Sequence, residues 1–455
     1  MNKDKDFLGT EPVGKLMFRL ALPTITAQLI NMLYNIIDRI YIGHIPGNGA
    51  LALTGVGVCM PLIMIISAFA ALVGGGGAPH ASIAMGKNDL NTAEHILGNC
   101  FFLQILISII LTVILLFGNR TFLLAFGASE NTIEYAVNYM NIYAVDTIFV
   151  QLTLGMNMFI TTQGFAKTGM LSVLIGAVMN IVLDPLFIFT LDMGTAGAAL
   201  ATGLSQFISF CILLWMCNHQ DSCISISIRK FRPKLAIYRE VLYGGIPSLG
   251  RQGIASVATI LMNFMCQPYG DAAIAAMSIV SRFMFFINSV IIGFGQGFQP
   301  VCSYCFGAGL YDRVKKACWF CIRVSTIILL VLSVISFPAA RSIITLFRRN
   351  DPTVIEIGTL ALRLQLITLP LQGAVIMGNM MPQSIGYGFR ATLVSTARQG
   401  IFLIPLLTIM TYTIGLLGIQ CAQPLADIAT FILSLFVIRG IFKEFPEDAS
   451  SFAAQ

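Results

Sequence analysis

Three carboxylates of this 455-residue chain stand where carboxylates are costly. Asp38, Asp146 and Asp184 each lie inside a long, mostly apolar stretch, and Asn180 precedes Asp184 by one helical turn, hence on the same face. Polar groups inside such stretches read as functional by default. Carboxylates with amide and hydroxyl oxygens, screened from water, suit two tasks. An acid held out of water beside a second acid takes up a proton readily. Alternatively, the hard oxygens hold a small cation such as Na⁺. The bland readings are that Asp38 pairs with the adjacent Arg39 and that Asp184 caps a turn before Pro185.

The stretches that carry these acids dominate the chain. Hydrophobic residues make up 56% of it and charged residues 11%, with a mean hydropathy of +0.83. A soluble protein would be about 25% charged, so a soluble enzyme and a disordered chain are both excluded. Apolar segments long enough for a bilayer roughly 30 Å thick recur at 16–43, 52–79, 93–117, 131–157, 165–190 and 194–217, then at 239–266, 272–300, 314–338, 354–380, 390–412 and 416–439. No signal-peptide pattern precedes the first of them, so it is expected to stay as a helix. The chain reads as an all-α polytopic membrane protein with twelve transmembrane helices. A six-helix bundle over 1–217, a polar linker over 218–238, a second bundle over 239–440 and a tail over 441–455 make up its expected organisation.

Orientation follows from the positive-inside rule. With the N-terminus inside, nineteen Lys and Arg residues, Arg390 and Arg398 among them, fall on the inner side against five on the outer. Both termini are therefore expected in the cytoplasm. Depth can then be counted at about 1.5 Å per residue. Asp38 lies near the outer end of the first helix and Asp184 about one turn from the outer end of the fifth. Tyr139 and Thr202 lie about two turns into the fourth and sixth helices, which start outside. These groups share a layer in the outer half of the first bundle.

The two halves repeat at a nearly constant offset. Ala21–Pro23 matches Gly245–Pro247, Gln151 matches Gln372, and Gln163 and Pro185 match Gln383 and Pro405. Gly194 and Gly197 match Gly415 and Gly418 in the same order along the chain. Six helices per copy return the second copy to the same side, so the bundles are expected to be related by an axis along the membrane normal, with the pathway between them. The acids break the repeat: Asn180 and Asp184 have Gly400 and Ile404 as counterparts, and Asp38 has Met262. The second half carries Arg251, Arg282 and Arg363 instead, with a lone Asp427 that is expected to neutralise one of those three. Met156 and Met377, with the matched Gln151 and Gln372 and with Arg251 and Arg282, are candidates for a substrate cavity.

Other patterns carry less. Gly74–Gly77 followed by Pro79 suggests a kink or a close helix contact, and no GxxxxGK[ST] phosphate loop exists in the chain. The pairs Cys302/Cys305 and Cys318/Cys321 have zinc-ribbon spacing but sit at helix ends, where small apolar cysteines are ordinary. The four histidines are scattered, so no metal site is expected. No constellation suited to a membrane enzyme is visible either, and neither half leaves room for a sizeable sensor domain.

The segments LALPTI and LYNIIDRIYIGH of the first helix, MGKNDLNTA of the first inner loop and NIVLDPLFIF of the fifth helix resemble the multidrug and toxic compound extrusion family, in the branch that includes the MepA-type exporters. The resemblance covers the whole chain in order. It implies two six-helix bundles around a central cavity in the cell membrane, exporting organic cations in exchange for H⁺ or Na⁺, with no cofactor beyond that ion and with a monomer as the working unit. It implies a coupling-ion site at Asp38, Asn180, Asp184 and Thr202; Tyr139, Asp146 and Asn157 are further candidate lining groups read from the residues alone. Related exporters carry a carboxylate near the inner end of the fourth helix, where this chain has Asn157, and Asp146 matches no family role. The alternative is a flippase for lipid-linked saccharides, whose anionic cargo would favour the arginines of the second half.

Overall fold

The computed structural model describes residues 7–218, 224, 233–349 and 351–446. Most of the 218–238 linker and the tail beyond residue 446 lie outside those residues. An apolar segment in lipid must satisfy its own N–H and C=O groups, and a helix does so within one segment. The helices are α1 (Val13–Gly43), α2 (Gly49–Gly86), α3 (Leu90–Ala125), α4 (Ile133–Thr162), α5 (Ala166–Thr190) and α6 (Gly194–Cys217). After the linker come α7 (Leu235–Cys266), α8 (Asp271–Gly307), α9 (Tyr311–Phe347), α10 (Pro352–Ser384), α11 (Gly388–Ile414) and α12 (Leu416–Glu444). Among the described residues, eleven are long and apolar enough to cross a membrane by themselves. The exception is α7, which carries Arg239, Glu240 and Arg251.

Most helices outrun the apolar stretches that reveal them, because helical hydrogen bonding continues into flanking residues that favour it. At two helix starts a side chain meets a free N–H group. Asp89 accepts from the Thr92 amide at 3.0 Å ahead of α3, and hydrogen bonds from Thr92, its side chain first and then its amide, hold the carboxyl below the usual carboxylate range. Asp351 accepts from the Val354 amide at 3.2 Å ahead of α10. Three helices change pitch along their length: α5 becomes π-helical over Leu186–Thr190 after Pro185, α10 passes through a 3-10 turn at Leu369–Leu371, and α11 is π-helical over Ala397–Ile401. At Pro185 and Pro370 the missing N–H accounts for the change.

The chain packs as two compact units. One comprises residues 22–245 of the described chain, the other 7–21 and 246–455 as far as they are described. The change-overs fall inside α1 and α7, beside the matched prolines Pro23 and Pro247. In the first unit α4 is central, packed on α2, α3 and α6; in the second, α10 packs on α8, α9 and α12. The glycine run of α2 makes close contact and leaves the helix unbroken. A Cβ on Gly76 would lie 1.9 Å from the Val241 carbonyl, and one on Gly245 would lie 1.8 Å from that of Leu72, so α2 and the start of α7 meet backbone to backbone. The second unit repeats the device with Gly297 of α8 against Ala21 of α1, where a Cβ would come within 2.6 Å.

Candidate functional site

The expected outer acidic layer forms in the first unit. We call the side on which α1 begins the near side and the opposite one the far side. Asp38 comes from the far end of α1, Asn180 and Asp184 from the far half of α5, and Thr202 from α6, two turns in from its far end. Their carboxyl and amide groups converge: Asp38 and Asp184 meet side chain to side chain. Asn180 Nδ2 donates to Asp184 Oδ1 at 3.3 Å and to Thr202 Oγ1 at 3.4 Å. Asp184 is 0% exposed and Asn180 2%. Of the bland readings, that of Asp38 with Arg39 holds in part, since Arg39 lies in electrostatic reach of Asp38. Arg39 turns its guanidinium to the Met60 sulfur at 3.1 Å, and Asp184 is held by Asn180 and Asp38.

What is left over defines the chemistry. Asp38 Oδ1, Asp184 Oδ2 and Asn180 Oδ1 are buried acceptors without a hydrogen-bond partner. Unpaired buried acceptors are expensive, and unpaired buried carboxylates more so. Oxygens facing one another with no donor between them fit a proton or a small hard cation. Among the described residues no lysine, arginine or histidine hydrogen-bonds to either carboxylate, although Arg39 lies in electrostatic reach of Asp38. Among the described residues there is also no group of three or more His, Cys, Asp or Glu side chains arranged to hold a metal ion.

Tyrosines wall the cluster. Tyr139 and Tyr143 of α4 stack with ring centroids 5.8 Å apart and planes 16° from parallel. Tyr139 lies in electrostatic reach of Asp38, and Tyr34 in reach of Asp38 and Asp184. Tyr34 and Tyr143 were not singled out from sequence. The signal was there: Tyr34 precedes Asp38 by four residues and Tyr143 follows Tyr139 by four, so each pair shares a helix face.

Asp146 sits two turns along α4 from Tyr139, toward the near side. Its carboxylate rests against the backbone of α6 at Gly203, where a Cβ would lie 1.9 Å from Oδ2. Gly203 was also missed, although it adjoins Thr202 and leaves the opening that a larger residue would fill. Asn157 does not join the cluster. Its Nδ2 donates to the Gly169 carbonyl at 2.9 Å and to Ser172 Oγ at 3.2 Å, while its Oδ1 accepts from Thr161. The second half repeats the clamp: Asn379 donates to the Ala391 carbonyl at 3.1 Å across the same twelve-residue interval.

Of the suggested cavity residues, Met156, Gln151, Met377 and Gln372 are each 0% exposed. Gln151 Nε2 donates to the Ile66 carbonyl at 2.7 Å. Arg251 is half-buried and Arg282 exposed. Arg363 lies over the Phe337 ring at 5.5 Å. Asp427 is 1% exposed and does pair with an arginine, but with none of the three expected: Arg398 Nε donates to Asp427 Oδ1 at 2.9 Å, and Gln423 Nε2 to the same oxygen at 2.9 Å. Arg398, assigned to the inner rim by charge counting, lies ten residues into α11, where the π-helical turn bears it inside the bundle.

The family model described as MatE matches residues 23–186 and 247–409, one copy in each half. The multidrug export protein MepA of Staphylococcus haemolyticus is 26% identical over 439 residues, covering 96% of both chains. MepA of Staphylococcus aureus (strain MRSA252) is 25% identical over 429 residues, covering 94% of both. Among solved structures, MATE in the bent conformation superposes with a TM-score of 0.92 at 23% identity, covering 99% of this chain and 100% of the other. An outward-facing multidrug resistance MATE family transporter of the MOP superfamily gives 0.91 at 24%, covering 98% and 99%. These likenesses bear out twelve membrane helices in two bundles.

Proposed function

Because the chain belongs to the MatE family, we propose that it exports amphiphilic organic cations across the cell membrane in exchange for H⁺ or Na⁺. The coupling ion binds at Asp38, Asn180, Asp184 and Thr202, and the near side, which holds both termini, is cytoplasmic. The observation that carries this reading is the touching pair of buried Asp184 and half-buried Asp38, each with an unpartnered buried oxygen and neither hydrogen-bonded to a cationic side chain. A cluster that binds its ion reversibly can bias a bistable bundle by the difference in ion affinity between the two facings. Ion entry from the outside then lowers the affinity for the drug on that side. The names of the relatives, multidrug export proteins, support the cargo class.

The test is efflux of a fluorescent organic cation from proteoliposomes under an imposed pH gradient or an imposed Na⁺ gradient. One gradient drives efflux in the wild type and fails to drive it in Asp184→Asn. If neither gradient moves the dye, the exporter reading falls. An anionic lipid-linked saccharide as cargo would rest on Arg251, Arg282 and Arg363. Arg363 is already engaged by Phe337, and competition between the dye and a lipid-linked sugar separates the two cargo classes.

A further inference from the structure

Arg341, Arg348 and Arg349, three of the five basic residues on the far side, crowd into nine residues at the end of α9. The other two are engaged: Arg120 pairs with Glu134 at 3.2 Å, and Arg39 turns to the Met60 sulfur at 3.1 Å. Among the described residues no ion pair or side-chain hydrogen bond engages the three at the end of α9. Asp351, which follows them, accepts from the Val354 amide at 3.2 Å, and Glu356 stands exposed further along α10. Unpaired arginines on this side run against the charge preference that orients the rest of the chain. A cavity of about 320 Å³ opens here, lined by Arg341, Ser342, Thr345, Leu346 and Arg349. Thr345 Oγ1 is tied to the Arg341 carbonyl at 2.8 Å, so the two guanidiniums and the Ser342 hydroxyl are the donors that remain. A guanidinium fork matches the oxygens of a phosphate.

The place of the cavity along α9 points to what carries the phosphate. Arg323 and Arg341 lie eighteen residues apart with no charge between them. At about 1.5 Å per residue that is about 27 Å, close to the hydrocarbon thickness of a bilayer. Arg341 therefore stands at the far boundary of the hydrocarbon, the level of the lipid phosphates. Toward the near side Ile327, Val331 and Val334 are 60%, 51% and 64% exposed. At the helical period these three share one narrow face with Arg341 and Thr345. That face offers apolar surface through the membrane and guanidinium at its far rim, the order in which a phospholipid presents its acyl chains and its phosphate. Arg363 of α10, over the Phe337 ring at 5.5 Å, adds positive charge one turn before Arg341. We propose that the far end of α9 binds the phosphate of an anionic phospholipid, held by Arg341 and Arg349 with Ser342 as a further donor. An acyl chain lies along Ile327, Val331 and Val334. A zwitterionic lipid fits less well, because its own cation meets two unpaired guanidiniums. The site lies wholly in the second unit, so it stands or falls apart from what the chain exports.

The test uses purified full-length protein in phosphatidylcholine nanodiscs that hold a small fraction of phosphatidylglycerol with a photo-crosslinking group in its acyl chain. Adducts are mapped by peptide mass spectrometry, and phosphatidylcholine with the same group is the zwitterionic comparison. Wild type, Arg341→Gln, Arg349→Gln, the double variant and Arg120→Gln are compared. The site requires phosphatidylglycerol adducts concentrated on residues 327–346. Each glutamine should lower them about fivefold at sub-saturating probe, the scale of one basic residue at an anionic surface, and the pair about 25-fold. Arg120→Gln, which loses a far-side arginine already paired, should leave them unchanged. Should the double variant fail to fold, the single variants decide. Adducts as abundant with phosphatidylcholine, or undiminished by the substitutions, overturn the site. Excess inorganic phosphate, set against chloride at equal ionic strength, separates the two sources of the phosphate. Adducts that persist assign the site to the lipid; adducts that vanish assign it to a free anion and overturn the lipid.

Discussion

Each half of the molecule buries acid in its membrane core, and the two halves treat it in opposite ways. In the second unit Arg398 and Gln423 both donate to one oxygen of Asp427, so that its charge is met by a residue of the chain although Oδ2 is left without a partner. In the first unit Asp38 and Asp184 face each other, with an amide and a hydroxyl nearby and three acceptor oxygens left over. Thr202 and Gln423 occupy matched places in the repeat, as do Val178 and Arg398 within a residue. The second half therefore carries an arginine bonded directly to its acid, whereas in the first half Arg39 turns to Met60 and reaches Asp38 only through space. A fixed counter-charge makes a structural element. A missing one makes a site that must be filled from solution, and this asymmetry between otherwise matched halves is what lets one unit respond to a gradient.

That comparison can be broken most directly by removing the built-in cation. Arg398→Met strands Asp427 in the bundle and should cost about 3–5 kcal/mol, seen as a collapse of the melting temperature in detergent. The double variant Arg398→Met/Asp427→Leu should recover most of that loss, because an apolar pair replaces the ion pair without leaving a charge behind. A single variant as stable as wild type would show that the pair does not neutralise Asp427. The first unit should respond with the opposite sign. Asp184→Asn removes a negative charge beside a second acid and should melt no lower than wild type, whereas Asp427→Asn should melt well below it. Smallest are the matched clamps. Asn379→Ala removes one donor to a helix carbonyl and should cost about 1 kcal/mol, and Asn157→Ala, which also loses its bonds to Ser172 and Thr161, should cost more, about 2 kcal/mol, by thermal melting. A loss in Asn157→Ala no larger than that in Asn379→Ala would show that the two extra bonds contribute nothing.

Much of this architecture was legible in the residues. Twelve apolar stretches had to be helices, and counting 1.5 Å per residue from alternating ends was enough to place Asp38, Asn180, Asp184 and Thr202 in one layer. Periodicity could have added Tyr34 and Tyr143, each four residues from a residue already selected. What could not be read was contact between helices. The seat that Gly203 leaves for Asp146 depends on how α4 and α6 approach. The pairing of Arg398 with Asp427 joins residues 29 apart, and the π-helical turn that rotates Arg398 inward has no signature that charge counting registers.

The central claim, that the unpartnered acids of the first unit take their counter-charge from solution, is tested most directly by driving dye efflux from proteoliposomes with a pH gradient and separately with a Na⁺ gradient, in wild type, Asp184→Asn and Arg398→Met/Asp427→Leu. The asymmetric arrangement requires efflux in wild type under at least one gradient, its loss in Asp184→Asn, and its survival in the double variant. Efflux that persists in Asp184→Asn and disappears in the double variant would place the coupling in the other half and contradict the account.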